Sequence, residues 1–504
     1  MLVNRREKRE AEYAALKAEQ KLQSQRRKEL RAEEKQEGLE AKVQNSAINS
    51  KSEYKTVEEE SKAAEEAVIA YLKNMQSLFP GLLKRLSRVS DFREPRKVSH
   101  RVDVILLLGI LTFAFQKLSR RQATREMTTA TFLENLRILI PELESLPHHD
   151  TINRFLKGVD IKELEGIYFG LFNKFIRSKK FKRYLLNGQY CIAIDGTQKY
   201  TYNFLWAPEC QRREIEGKMQ YYCYCLEAFL VLPNGMSIPL ATEMLSYLEG
   251  DINSDKQDSE LKAFTRLTLK IKKAFPKLRI MVVLDGLYPK GKVMELCNKY
   301  KWDYMIVLPD KCLKSVWQEY GALKDIEKNN RAKLNYGNRK QEFIWVNDIY
   351  YEYGGDKSLL VNVVVCHEEW DKIGEGGAKV KMHSKHVWIS KVTINRINVH
   401  SRCNLCARRR WGIESGILVE KKYGYQYEHT FSFDWNAAKA YHLLMHIAHM
   451  INTLAQHGSL MKELFLKKGL QATIKYIDET FRKILLDVRR VREILSQRYQ
   501  VRFS

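Results

Sequence analysis

The spacing of apolar residues divides the chain into segments. Residues 1–66 carry few of them (Leu16, Leu22, Leu30 and Leu39) and hold no heptad, so the pattern predicts a charged helical or disordered arm with no chemistry of its own. From 67 to 183 apolar positions recur three and four apart, as in Val68-Ile-Ala-Tyr-Leu and Val104-Ile-Leu-Leu-Leu-Gly-Ile-Leu, which predicts an all-helical domain. Basic clusters separate these runs at Lys84-Arg85, Arg93 to Lys97, and Arg120-Arg121, so the domain reads as a DNA-binding domain or equally as a helical dimerisation unit. Asp150-Thr151 is placed to cap a helix through Ile152–Leu156.

Near Asn187 the period shortens to that of strands. Gln189–Asp195, Tyr221–Leu232 and Met236–Thr242 read as three strands, the last two joined through a Pro233-Asn-Gly turn. Asp258–Phe275 reads as an amphipathic helix, Arg279–Asp285 as a buried strand, Pro289–Tyr300 as a helix and Asp303–Leu308 as a strand. Antiparallel strands followed by alternating helix and strand predict a mixed α/β sheet over 184–309. Residues 310–395 read as β-rich through Gln341–Tyr353, Leu359–Glu368 and Ser384–Lys391. Helical spacing returns at about Cys403. The β segment therefore reads as an insertion, with 396–457 completing the core and 458–504 forming a C-terminal helical segment.

Charge adds a partner class to this picture. The 504 residues include 86 Lys and Arg against 61 Asp and Glu, a net charge of +25. Residues 1–66 hold 15 basic and 15 acidic side chains, so the whole excess lies in 67–504, the part able to fold compactly. A compact body so charged attracts a polyanion, of which nucleic acid is the common case; a basic solubility charge is the plainer alternative. The longest apolar run, Val104–Phe115, is too short for a bilayer, which needs about 20 residues. No apolar signal region follows Met1, and the nine cysteines form no regular framework, so a reducing cytosol is expected and a membrane is not.

Two carboxylates carry the candidate chemistry. Asp195 and Asp285 each end an apolar strand-like run and each precedes a glycine. Open α/β sheets bind ligands at the carboxyl ends of such strands. Neighbouring strands would bring the two acids within a few ångströms, where like charges call for a cation between them. Hard oxygen ligands suit Mg²⁺ or Mn²⁺, and two such ions about 3.5–4 Å apart serve phosphodiester chemistry. Taken singly, each Asp is an ordinary turn or cap residue. The segment from Arg408 to Lys421 adds a third element: Arg410, Glu414 and Lys421 fall within about 40° on one helical face. Glu414 can complete a metal site while Arg410 and Lys421 hold phosphates; the pair Arg410–Glu414 is equally a common surface ion pair.

Ile194-Asp195-Gly196-Thr197, Leu284-Asp285-Gly286, and Arg410-Trp-Gly-Ile-Glu414 followed by Lys421 resemble the DDE transposases of bacterial insertion sequences. The helix matches that group's Tyr-x2-Arg-x3-Glu-x6-Lys pattern except at its first position, where Ala407 replaces Tyr. Lys256-Gln-Asp-Ser-Glu-Leu-Lys and Gly424-Tyr-x-x-Glu428-His429 extend the resemblance, which runs from roughly Phe92 to Ala455. It implies an RNase H-like fold with a β insertion between the second Asp and the Glu. It also implies metal-dependent cleavage of double-stranded DNA at the element's terminal repeats and strand transfer into target DNA. Asp195, Asp285 and Glu414 would be both catalytic and metal-ligating, with two Mg²⁺ ions for which Mn²⁺ can substitute. Arg408, Arg409, Arg410 and Lys421 would contact DNA, and the protein would act as a homodimer on paired ends in the bacterial cytosol or nucleoid. A nuclease that cuts without joining, or a non-catalytic DNA-binding protein from an inactivated element, are the alternatives.

Other motifs weigh less. Trp345, Trp370 and Trp388 lie in the β segment, and Trp388 is the choice for a ring that stacks on an extruded base, against core packing for any one of them. His400, Cys403 and Cys406 suggest zinc but lack a fourth ligand nearby, with Cys297 and Cys312 as spatial options. His442, His446 and His449 share an apolar helical face and read as packed histidines. Gly374-Glu-Gly-Gly-Ala-Lys379 lacks the phosphate-loop spacing, and Asp258 and Glu260 read as helix-start acids.

Overall fold

The computed structural model describes residues 13–15, 17–26, 28–29, 53–249, 258–373 and 379–503. Most of the charged arm, Lys256-Gln257 of the extended motif and Gly374–Ala378 lie outside the described residues. The chain divides into two compact units: one of 1–45, 309–351 and 360–400, the other of 46–308, 352–359 and 401–504.

The larger unit begins with helices α1 (Val57–Leu78), α2 (Leu82–Leu86), α3 (Val102–Ala114), α4 (Arg120–Met127), α5 (Ala130–Leu136), α6 (His149–Gly158) and α7 (Ile161–Arg177). α1 starts at Val57, inside the segment the sequence assigns to the arm, because Thr56 caps Glu59 N–H and Ala64, Ala67 and Val68 bury the following turns. α3 is the long apolar run, buried along its whole length. α6 begins one residue before the expected cap, at His149, with the His148 side chain accepting from Asp150 N–H.

The sheet of this unit follows: β1 (Tyr190–Tyr202), β2 (Gln211–Ile215), β3 (Lys218–Val231), β4 (Ser237–Met244), α8 (Glu260–Ala274), β5 (Ile280–Leu284), α9 (Gly291–Lys299) and β6 (Asp303–Val307). Its order is β2-β3-β1-β5-β6, with β4 also on β3. β1 runs antiparallel to β3 and parallel to β5, which is parallel to β6. The unit is thus mixed α/β with a mixed sheet. One strand differs from the expectation. β1 does not stop at Asp195 but continues to Tyr202, because β3 goes on pairing with it as far as Tyr202↔Tyr221. Tyr200 on this extension packs with Cys223, Cys225 and Trp435.

The smaller unit holds α10 (Lys314–Leu323), β7 (Arg331–Tyr336), β8 (Arg339–Tyr353), β9 (Lys357–Ile373) and β10 (Lys379–Ser390), ordered β10-β9-β8-β7. The helix α10 was not expected in a segment that reads as β; its buried face is only Val316 and Tyr320. Phe343, Trp345, Val363, Val364 and Ile389 are buried in the meander, with Val363 and Val364 on opposite faces.

The larger unit resumes with a π-turn over Ser401–Cys406, a 3-10 turn over Ala407–Arg410, then α11 (Trp411–Lys422) and α12 (Trp435–Gln456). α13 (Lys462–Lys468), α14 (Leu470–Lys483) and α15 (Val488–Ser496) end the chain and pack with the first helices. Lys117, 2% exposed, bonds Glu126 at 2.9 Å and Asp478 of α14 at 2.5 Å, and Asn135 of α5 donates to the Phe481 and Ile484 carbonyls. No helix among the described residues is long and apolar enough to cross a membrane.

Candidate metal and phosphate site

Strand register brings the two aspartates together. β1 and β5 pair in parallel with Ile194 opposite Leu284, so the next residue on each strand is the predicted acid. Asp195 Oδ1 accepts from Gly196 N–H at 2.9 Å, and Asp285 Oδ1 from Leu287 N–H at 2.9 Å. Burial and the Asp285 charge push the Asp195 carboxyl up to about 6, against the pull of the Gly196 N–H and of Arg410. Among the described residues Asp285 has no cationic partner, so the pair carries charge that the protein leaves largely uncompensated.

Glu414 reaches this pair through Arg410. α11 lies close on β3 and β4 because Gly416 has no side chain: a Cβ there would meet Ser237 Oγ at 2.6 Å and Phe229 Cε1 at 2.7 Å. The turn before it is fixed by Arg402, whose two Nη atoms bond both Asp303 oxygens at 2.8 Å. Arg410 is 9% exposed, and its Nη1 lies 2.8 Å from Glu414 Oε1 and 3.7 Å from Asp195 Oδ2. Sharing that nitrogen, the two carboxylates stand no more than about 6.5 Å apart, a span that two ions about 4 Å apart can bridge. The three acids do not close around a single ion, and the Arg410 guanidinium fills the position of a cation between two of them. The donor set is all hard oxygen, which suits Mg²⁺ or Mn²⁺.

Lys421, about two turns beyond Glu414 on α11, donates to the Gln198 carbonyl of β1 at 3.1 Å and pairs with Glu428 at 3.2 Å. Arg410 and Lys421 thus both meet β1, at Asp195 and three residues beyond it. Arg408 bonds Asn404 Oδ1, and Arg409 bonds the Leu405 and Leu232 carbonyls, so both are held by their own neighbourhood. Trp388 is 4% exposed on β10, with its ring nearly parallel to that of His386 at 5.7 Å between centroids. Trp345 is buried as well, and Trp370 lies under Arg339.

A fourth carboxylate, weighed in the sequence only as a helix-start acid, adjoins the aspartates. Glu260 Oε1 accepts from Tyr224 OH at 2.5 Å and Oε2 from Tyr288 OH at 2.9 Å. It lies against Gly196, where a Cβ would stand 2.5 Å from Oε1, so the glycine after Asp195 is required by this approach. Burial, and after it Glu260, Asp285 and Asp195, push the Tyr288 phenol up, keeping it a donor. The Ser259-Glu260 helix start carries no periodicity that distinguishes such a role.

The three histidines of α12 do not form the bland apolar face the spacing suggests. They meet two fully buried carboxylates, Glu227 of β3 and Glu420 of α11. His442 Nε2 lies 3.1 Å from Glu227, His446 Nε2 3.4 Å from Glu420 and 3.7 Å from Glu227, and His449 Nδ1 2.7 Å from Glu420. Tyr427 OH also donates to Glu227 at 2.8 Å. Cys225, Glu227 and His442 could geometrically hold a metal ion and are the one such group among the described residues, so Cys403 and Cys406 do not. Proton placement argues against an ion there. Lys199 Nζ, 3.2 Å from His442 Nδ1, donates to it, which leaves the ring proton on Nε2, facing Glu227. Burial holds His442 down at about 4, hence neutral.

Residues 83–170, from α2 to α7, match the DDE_Tnp_1-associated family model. This match covers the helical segment and not the acidic site, and it points to a DDE-type transposase family. A comparison with curated proteins gave no match.

Proposed function

We propose that this chain is a transposase with an RNase H-like core that cleaves DNA at the ends of an insertion sequence and joins them to target DNA. The observation that carries the proposal is the register of β1 and β5, which sets Asp195 beside Asp285 with Glu414 tied to them through Arg410. Asp195, Asp285 and Glu414 would hold two divalent ions. Such ions polarise a phosphodiester and stabilise the charge of attacking and leaving oxygens. The residues around them orient the strand: Arg410 presents a guanidinium fork to one phosphate, and Lys421, anchored on β1, a point charge to a neighbouring one. Arg408 and Arg409 add positive field at the start of the helix. Water attack at the element end would release a 3′-hydroxyl, which then attacks target DNA by the same in-line geometry. A homodimer on paired ends, working in the cytoplasm, completes the proposal.

The test is an oligonucleotide end with Mg²⁺. Glu414→Gln should abolish cleavage while leaving duplex binding in EDTA intact; a variant that cuts as fast as wild type refutes the assignment. Cleavage without strand-transfer products would instead define a nuclease.

A further inference from the structure

A second basic feature of the larger unit lies outside the carboxylate site. A cleft of about 550 Å³ opens among Arg120, Arg121, Arg125, His148, Asp150 and Thr430. Three of these are arginines of one short helix, α4, and Arg121 and Arg125 stand a turn apart on it. Asp150, the one acid in the cleft, is engaged by Arg120 at 3.1 Å and His148 at 3.4 Å. Arg125 lies 3.7 Å from Glu126, which Lys117 and Arg482 also hold, and Arg121 has no ion-pair partner among the described residues. The His429 ring at the rim is kept below its ordinary pKa by burial and by Arg120. An open cleft with guanidinium forks in excess of acid is suited to a phosphate.

The position of the cleft selects the kind of phosphate. Thr430 lines it, and Thr430 Oγ1 accepts from Tyr202 OH at 2.6 Å. Tyr202 ends β1, seven residues beyond Asp195. β1 bulges between Gln198 and Tyr200, so at about 3.3 Å per strand residue Tyr202 lies at most ~23 Å from Asp195, the length of about seven base pairs at ~3.4 Å each.

We propose that the Arg120–Arg121–Arg125 cleft takes a backbone phosphate of duplex DNA about seven base pairs from the scissile phosphate, so that β1 spans the distance between the two contacts. The spacing rests on the assignment of Asp195 to the cleavage site; the contact itself does not.

The experiment uses the full chain with Arg121→Ala and Arg125→Ala combined. Both side chains are exposed, so the thermal midpoint should stay at the wild-type value. Binding to an arbitrary duplex of about 30 base pairs in EDTA is followed from ~50 to ~200 mM salt, and the slope of log K against log salt should shrink by about one, the share of one phosphate contact. An unchanged slope with binding intact overturns the cleft as a DNA contact. Inorganic phosphate that raises the melting temperature of wild type but not of the variant, with the slope unchanged, would make it a free-anion site and overturn it likewise. The spacing is read with single methylphosphonate linkages placed along an element end. Neutralising the linkage about seven base pairs from the cut should weaken wild-type binding roughly tenfold and leave the double variant unaffected. Sensitivity at another distance overturns the spacing. If the end is bound but never cut, the cleavage reading fails while the salt slope still decides the cleft.

Discussion

At the scale of single residues, Arg410 has two competing uses. Its guanidinium satisfies Glu414 and Asp195 at once, so it neutralises the acids that a divalent ion would otherwise gather. An incoming phosphate would give the same guanidinium another partner and release those oxygens. Arg410→Gln should therefore let Mn²⁺ raise the melting temperature at a lower concentration than in wild type, while DNA cleavage falls by about 10²-fold for want of a fixed charge on the phosphate. A Mn²⁺ titration midpoint that does not move would show that Arg410 and the ion do not compete. Gly196 is the second test position. A methyl group there meets both Glu260 Oε1 and Tyr224 OH within 2.6 Å, and these two hold each other in place. Gly196→Ala should cost roughly 1–3 kcal/mol in a denaturant melt, as overpacking of a filled site does. Glu260→Ala in the same background should recover part of that loss by removing the obstruction; no recovery would place the strain elsewhere.

At the scale of elements, the helix that carries Glu414 is held from behind by a buried ionic cluster. Glu420 lies one and a half turns beyond Glu414 and meets His446 and His449 of α12, while Glu227 lies opposite Asp195 in the β1–β3 register. Burial opposes charge on His446, yet Glu420 and Glu227 outweigh it and hold its pKa above the ordinary value. A histidine whose folded pKa is raised lends stability that is complete below its unfolded pKa of about 6.5 and lost as pH rises through the folded value. Wild-type melting temperature should accordingly drop on the alkaline side of about pH 6.5, and His446→Gln, less stable at pH 6, should lack that drop. An alkaline drop that persists in the variant would assign it to other groups. This cluster also marks where sequence reading stops. Asp195, Asp285, Glu414 and the strands bearing the aspartates were legible because strand-type apolar runs and helical spacing are local signals. Glu227 and Glu420 were not, because only the contact with α12 gives either a partner: Glu227 sits among apolar neighbours and Glu420 beside two lysines. The extension of β1 to Tyr202 was missed for a related reason: the polar residues Thr197 to Lys199 break the apolar run, and pairing of Thr197 and Gln198 with β3 carries the strand through them. Trp388 meets the same limit, since an aromatic on a strand carries no local sign of which face is buried.

At the scale of the whole molecule, a net charge of +25 surrounds a pocket of like-charged acids, and the two act in opposite directions. The basic body favours a polyanion, whereas Asp195 and Asp285 repel each other. The Asp195 carboxyl, raised to about 6 by burial and by Asp285, fixes the sign of the pH effect. An acid whose folded pKa exceeds its unfolded value contributes stability at low pH that is lost as pH climbs from about 4 through about 6. Deprotonation in the metal-free protein therefore costs stability over that window, and the same deprotonation creates the ligand. Mn²⁺ binding only the folded state adds RT ln(1 + [Mn²⁺]/Kd), about 2.7 kcal/mol at a hundredfold excess over Kd. The Mn²⁺-induced rise in melting temperature should thus be small at pH 5, grow to pH 7 and then level off. Asp195→Asn should melt higher than wild type at pH 7 without metal, because the repulsion is gone, and should show little response to Mn²⁺. An Asn variant that still gains the full Mn²⁺ shift would place the ion away from Asp195. A wild-type shift independent of pH between 5 and 7 would show that the ion is not held by the group that titrates there.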